Sequence, residues 1–221
     1  MKTEKSVKFK NVSDPALRRL LDFCEIRELP NKRLIIRPGD AADKLYYLIE
    51  GSATITMEDD EGNDLILGYL NAGDYIGETG LFVKQEKRQV TVRTRAPSLL
   101  AAISYEKLEQ LAENELKNEF SSILRSLATH ISTRLLQANR KVGHLAFMDA
   151  AGRIASALLD LCKQPDAMTH PDGIQIKISR TELGKLVGCS REMVGRVMKN
   201  MESQGLISAK GKTIVVFGAR D

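Results

Sequence analysis

Apolar residues along this chain follow two different periods. From Arg27 to Ser104 they come in brief alternating runs: Leu34-Ile35-Ile36, Leu45 to Ile49, Ala53 to Met57, Leu65 to Leu70, Val90 to Val92 and Leu99 to Ile103. Turn-forming residues stand between them at Pro38-Gly39-Asp40, Glu50-Gly51, Asp60-Glu61-Gly62-Asn63 and Asn71-Ala72-Gly73-Asp74. A half-buried strand sends every second side chain to the core, and Gly, Asn and Asp supply the reversals between strands. The segment therefore predicts a β-sandwich, jelly roll or small barrel. Ahead of it, Leu17, Leu20 and Leu21 are spaced for a short helix within Ser13 to Cys24, with Ser13 placed to cap it and Pro15 in its first turn.

After Ser104 the period lengthens. Tyr105 to Lys141 contains no Gly or Pro and is rich in good helix formers, enough for a short helix and then a long one. Phe120, Leu124, Leu127, Ile131, Leu135 and Ala138 recur at steps of three and four, the seam that pairs helices in a coiled coil. Such a helix exceeds what one small barrel can cover, so the seam predicts a homodimer interface. Gly143 breaks the pattern and predicts a hinge. Phe147, Ile154, Leu158 and Leu161 then mark a further helix within Leu145 to Cys162, ended by a polar loop from Gln164 to Gly173.

The C-terminal part carries the most specific pattern. Ser179-Arg180-Thr181-Glu182 has the form of a capping box, and Leu183, Leu186 and Val187 give its helix an apolar face that stops at Gly188. Ser190 can cap a second helix at once. Helix, short Gly-containing turn and helix is the arrangement that lays its second helix in the DNA major groove. With about 100° per residue, Arg191, Glu192, Gly195, Arg196 and Lys199 share one side of that helix, while Met193, Val194, Val197, Met198 and Met201 share the other. Arg forks onto guanine O6 and N7, Glu accepts from cytosine N4, and Lys suits phosphate. Gly205 to Val216 reads as a hairpin turning at Lys210 to Thr213, a basic-tipped wing.

Charge fits this division. Residues 1–115 hold 17 basic and 20 acidic side chains, residues 116–142 hold 5 and 1, and residues 143–221 hold 11 and 8. The basic excess thus lies in the C-terminal half, residues 116–221, compatible with a polyanion partner. With 43% apolar and 28% charged residues, the 221-residue chain has room for two modest cores. No apolar run reaches the length of a membrane span, and Met1 to Lys10 lacks the apolar stretch of a signal peptide, so a cytoplasmic location is expected. Cys24, Cys162 and Cys189 lie too far apart for the usual metal-ligand spacings and are expected as reduced fillers.

Enzyme motifs are missing: there is no nucleophile elbow, HExxH, Walker loop or GxGxxG. His130, His144 and His170 stand in unrelated contexts, His130 being expected at the interface or in solvent. A chain that is not an enzyme and needs no cofactor or metal is the expectation.

Gly188-Cys189-Ser190-Arg191-Glu192-Met193-Val194-Gly195-Arg196 and the ending Gly211-Lys212-Thr213-Ile214-Val215-Val216 resemble the cAMP receptor protein family, the CRP/FNR regulators. Gly77-Glu78-Thr79-Gly80-Leu81-Phe82 followed by Arg88 is similar to that family's phosphate-binding cassette. The likeness runs over roughly residues 27–220. It implies an α+β chain: a cyclic-nucleotide-binding β-barrel of jelly-roll type at 1–115, a dimerisation helix at 116–142, and a winged helix-turn-helix domain at 143–221.

By that resemblance, Arg191, Glu192 and Arg196 would read half of a TGTGA-type palindrome in double-stranded DNA, with Ser179, Arg180, Ser190, Lys199 and Lys212 on phosphates. Thr169 would touch the RNA polymerase α subunit, and Asp59, Asp60, Glu61 and Asp64 match an acidic patch that can contact sigma, or are ordinary turn residues. Gly77, Glu78, Thr79 and Arg88 would hold the cyclic phosphate and ribose of an effector. At positions where cAMP-binding members carry Ser and then Thr-Ser, this chain has Gln89, Ala138 and Asn139. Ala138 cannot bond an adenine amine, and leaving such a group unpaired costs about 1 to 3 kcal/mol. Three readings stand at this point: cAMP as effector, another nucleotide such as cyclic di-GMP, or a vestigial pocket in a ligand-independent regulator. A cyclic-nucleotide-binding regulatory subunit would share the barrel but lack residues 179–216.

Overall fold

The structure is a computed structural model that describes Phe9, residues 12–84 and residues 86–219. Most of the basic start, Met1 to Lys10, lies outside the described residues. Two compact units are present, Met1–Met57 with Gly68–Gln137, and Glu58–Leu67 with Ala138–Asp221.

The first unit opens with α1 (Pro15–Leu21), capped by Asp14 rather than by Ser13 as expected. Asp14 Oδ1 accepts from Ala16 N at 2.8 Å, and the carboxylate, one residue before the helix-starting Pro15, is the group within reach of the free amides. Strands follow as β1 (Glu25–Leu29), β2 (Leu34–Ile36), β3 (Lys44–Glu50), β4 (Ser52–Glu58), β5 (Asp64–Asn71), β6 (Tyr75–Ile76), β7 (Thr91–Thr94) and β8 (Ser98–Ser104), with α2 (Thr79–Phe82) between β6 and β7. They form two four-stranded sheets in the orders β1-β8-β3-β6 and β2-β7-β4-β5. Alternation on β3 shows how the cores are filled: Leu45, Tyr47 and Ile49 enter one, while Leu48 enters the other with Ile55, Leu70 and Leu100. The first core also takes Leu17, Leu20 and Leu21 of α1.

Two helices follow, α3 (Tyr105–Glu113) and the 28-residue α4 (Phe120–Phe147). Ile123 and Leu127, one turn apart, are fully buried in the core of the first unit. This corrects the seam at one position: Leu127 belongs to its own protomer's core and is not open to a partner, while Phe120 is half-buried against that core. Further along, Leu135 is 59% exposed and Leu136 69%. Gly143 is likewise corrected, because α4 runs through it to Phe147. The break comes at Asp149, whose Oδ1 accepts from Gly152 N at 2.8 Å and starts the next helix.

In the second unit α5 (Ala150–Cys162) is followed by β9 (Met168–His170), β10 (Gly173–Lys177), α6 (Arg180–Val187), α7 (Arg191–Ser203), β11 (Ile207–Lys210) and β12 (Thr213–Phe217). The sheet order is β11-β12-β10-β9. The segment read as a polar loop therefore holds a strand, since Thr169 pairs with Ile174 across a tight turn. Its solvent-facing edge position hides it from a hydrophobic pattern. Ile154, Leu158, Leu183, Val194, Met198, Ile207, Ile214 and Val216 are buried and bring the three helices onto the sheet. Among the described residues no helix is long and apolar enough to cross a membrane, and no group of three or more His, Cys, Asp or Glu could hold a metal ion.

Candidate functional site

In the first unit a cradle forms where β6 ends. Gly77 takes φ +84°, and a β-carbon there would lie 2.7 Å from Arg88 Nη1 and 2.8 Å from the Lys44 carbonyl oxygen. Only a glycine lets the chain pass this close. Arg88 is 7% exposed, and its guanidinium donates to the carbonyls of Lys44 and Gly77. Among the described residues no carboxylate pairs with it. The Tyr105 hydroxyl donates to the same Gly77 carbonyl, and burial pushes that phenol's pKa up. Glu78 is 5% exposed and its Oε1 lies 3.2 Å from Arg134 Nη1. The cradle thus holds a buried cation and a buried carboxylate, a combination suited to a ligand with a phosphate and a hydroxyl.

Of the residues expected here, Gly77, Glu78 and Arg88 are brought together, while Thr79 and Gln89 are exposed at its margin. Ala138 and Asn139 are exposed residues of α4. Three members were not foreseen: Tyr105, Arg134 and His130. His130 is not solvated, having 12% side-chain exposure, with Nδ1 3.5 Å from Asp74 Oδ1 and Nε2 3.9 Å from Glu78 Oε1. Its spacing of four from Arg134 on one helix was the available signal.

In the second unit, α6 and α7 meet through Gly184, where a β-carbon would lie 2.5 Å from the Cys189 carbonyl oxygen. The backbone of the turn closes on that position, Cys189 N donating to Gly184 O at 3.0 Å. Gly188 ends α6 in the left-handed region at φ 64°. Ser179 Oγ accepts from Glu182 N at 3.1 Å and Ser190 Oγ from Met193 N at 3.2 Å, so both expected caps are made. Arg191, Glu192, Arg196 and Lys199 are exposed along α7, opposite buried Val194, Met198 and Met201. Arg180 is half-buried, and Lys212 is exposed at the wing tip.

The hairpin Glu58–Leu67 is part of this second unit. Lys185 Nζ of α6 pairs with Asp64 Oδ2 at 2.5 Å. Lys141 Nζ donates to the Ile66 carbonyl, and burial pushes its pKa down to about 8. Asp59 accepts from the amides of Glu61 and Asn63 and so closes the turn, leaving Asp60 and Glu61 exposed at the tip.

The domain model for a cyclic nucleotide-binding domain matches residues 26–115, and that for a Crp-like helix-turn-helix domain matches residues 152–217. The cAMP-activated global transcriptional regulator Vfr of Pseudomonas aeruginosa is 51% identical over 92% of this chain and 94% of its own length. The chain belongs to the CRP family of DNA-binding transcription regulators. The cAMP-activated regulator CRP of Salmonella typhimurium is 50% identical, covering 94% of this chain and 97% of its own. The solved structure of the c-di-GMP-responsive global regulator CLP of Xanthomonas campestris matches with a TM-score of 0.88 at 45% identity, covering 92% of this chain and 99% of that one. CRP-family membership agrees with the barrel-plus-winged-helix reading. It also identifies the chain as a regulator rather than an enzyme, because its relatives are transcription regulators. The helix-turn-helix match removes the alternative of a regulatory subunit without a DNA-binding domain.

Proposed function

We propose that this protein is a homodimeric regulator that reads a TGTGA-type palindrome through Arg191, Glu192 and Arg196 and answers to a cyclic nucleotide held at Gly77, Glu78 and Arg88. The observation that carries this reading is the buried Arg88, whose guanidinium donates to two backbone carbonyls and lies over the Tyr105 ring, with no carboxylate paired to it among the described residues. A cyclic phosphate neutralises the guanidinium, and a ribose hydroxyl donates to the Glu78 carboxylate. Exposed Leu135 and Leu136, with half-buried Leu124 and Ile131, supply the dimer seam on α4. Dimerisation sets two copies of α7 about one DNA turn apart, near 34 Å, so that both enter successive major grooves.

The effector acts through its differential affinity for the DNA-competent arrangement. An unpaired buried arginine together with a buried carboxylate, Arg88 and Glu78, favours cAMP. Cyclic di-GMP is the second reading, favoured by the apolar Ala138 and the 45% identity to CLP. Exposed Thr169, on the edge strand β9, is offered to the RNA polymerase α subunit, and Asp60 and Glu61 to sigma. The test is fluorescence anisotropy of a labelled TGTGA-palindrome duplex at fixed salt, without ligand and then with cAMP or cyclic di-GMP. Tight binding only with cAMP supports the first reading, and DNA affinity that changes with cyclic di-GMP but not with cAMP supports the second. Equal affinity in all three conditions makes the pocket vestigial, and no specific binding overturns the DNA-reading assignment.

A further inference from the structure

His130 sits where the proposed roles of the cradle do not require a titratable group. Asp74, in the turn after β5, faces its Nδ1 at 3.5 Å, and Glu78 faces its Nε2 at 3.9 Å. The Tyr75 ring of β6 packs edge-on at 5.6 Å, and the Tyr75 backbone also bonds the imidazole. Arg134, one turn further along α4, reaches the same Glu78 oxygen at 3.2 Å. Tyr75 is itself held by Ser126 at 3.2 Å and packs against Tyr47 with the two rings tilted by 58°. Nε2 is buried and makes no hydrogen bond among the described residues.

A neutral imidazole has one proton for two flanking carboxylates. If Nδ1 carries it toward Asp74, the bare Nε2 lone pair faces Glu78, and only the imidazolium serves both sides. Burial is the largest influence and lowers the His130 pKa, against the opposing pull of Glu78 and Asp74, with Arg134 adding to the lowering. Burial thus favours the uncharged ring, which leaves Nε2 idle. A nucleotide phosphate brought to the cradle adds negative charge on this side and moves the balance toward the imidazolium.

We infer that His130 is a positioning residue of the effector site: when a cyclic nucleotide binds, His130 takes up a proton and its Nε2 donates to Glu78, fixing the carboxylate that receives the ribose hydroxyl. This rests on the nucleotide reading of the cradle. Because the bound form holds the proton at higher pH than the free form, affinity rises as pH falls, by at most about tenfold per pH unit.

Calorimetric titration of the full chain with cAMP, and separately with cyclic di-GMP, in two buffers of different protonation enthalpy reads the proton directly. The expected result is uptake of a fraction of a proton per nucleotide near pH 7, lost in His130→Gln, which keeps a hydrogen-bonding side chain. Equal uptake in His130→Gln, or wild-type affinity flat from about pH 6 to 8, overturns the inference while leaving the cradle reading intact. Absence of binding by either nucleotide sinks the cradle reading. A second measurement needs no nucleotide: the NMR titration of the His130 ring should move to lower pH in Glu78→Gln, and an unmoved titration shows that the two groups are not coupled.

Discussion

Gly77 and Arg88 touch so closely that a β-carbon on the glycine would stand 2.7 Å from the guanidinium Nη1 and 2.9 Å from Nη2. The arginine's buried position is therefore conditional on a residue eleven places earlier having no side chain. The left-handed φ of +84° adds a backbone reason to the steric one. Gly77→Ala should lower stability by about 1 to 3 kcal/mol and weaken nucleotide binding at least tenfold, since Arg88 must swing away. Thermal unfolding and nucleotide titration of the same variant check both parts, and unaltered nucleotide affinity would count against Arg88 as the phosphate group.

On α7 the exposed side chains divide by role. Arg196→Ala should cost about 1 to 3 kcal/mol of DNA affinity and relax discrimination at one base pair of each half-site. Lys199→Ala should instead weaken all sequences alike and flatten the salt dependence by about one unit of slope. Anisotropy titrations on matched and single-mismatch duplexes at several salt concentrations separate the two.

Leu127 and Leu135 lie eight residues apart on one helix and do different work. Leu127 is fully buried in the core of the first unit, so Leu127→Ala should destabilise the protomer by about 2 to 5 kcal/mol. Leu135 is 59% exposed, so Leu135→Ala should leave protomer stability within about 0.5 kcal/mol and loosen the dimer. Chemical denaturation and sedimentation at several concentrations read these effects; a dimer untouched by Leu135→Ala together with Leu136→Ala moves the interface elsewhere.

Lys141 gives the second unit a defined pH response. Its folded pKa is pushed down to about 8 from an unfolded value of 10.5, so the unfolded chain holds more protons between those limits and stability rises with pH across that window. Below about pH 8 the cost of keeping the ammonium under the hairpin is present in full. Lys141→Met should remove this rise, and the comparison of wild-type and variant unfolding between about pH 7.5 and 10 isolates it. Parallel curves would mean the amine stays solvated.

Much of this architecture could be read before any coordinates. Strand periods, glycine-marked turns and serine caps act between neighbours within a few residues, and the exposed Arg191-Glu192-Arg196-Lys199 face follows from helix geometry once Val194 and Met198 need a core. Two misses were local ones, in which one neighbour outcompeted another or a helix ran on through a glycine. Ser13 lost the cap to Asp14 because the carboxylate adjoins the helix-starting Pro15. Gly143 stayed helical because the hydrogen-bond ladder on either side of it continues, and an isolated glycine costs only about 1 kcal/mol there.

Legible along the chain were the two periods, the helix-turn-helix with its caps, the wing, and the side chains offered at Gly77, Glu78 and Arg88. Packing between distant segments settled which seam residues are already buried, that His130 is wedged between Asp74 and Glu78, that Arg88 reaches Lys44 from 44 positions away, and that Lys185 pairs with Asp64 across 121. Periodicity constrains what one element shows on each face, whereas burial and ion pairing depend on which other element covers that face. That partner is set by packing of segments far apart in the chain, and no local pattern encodes it.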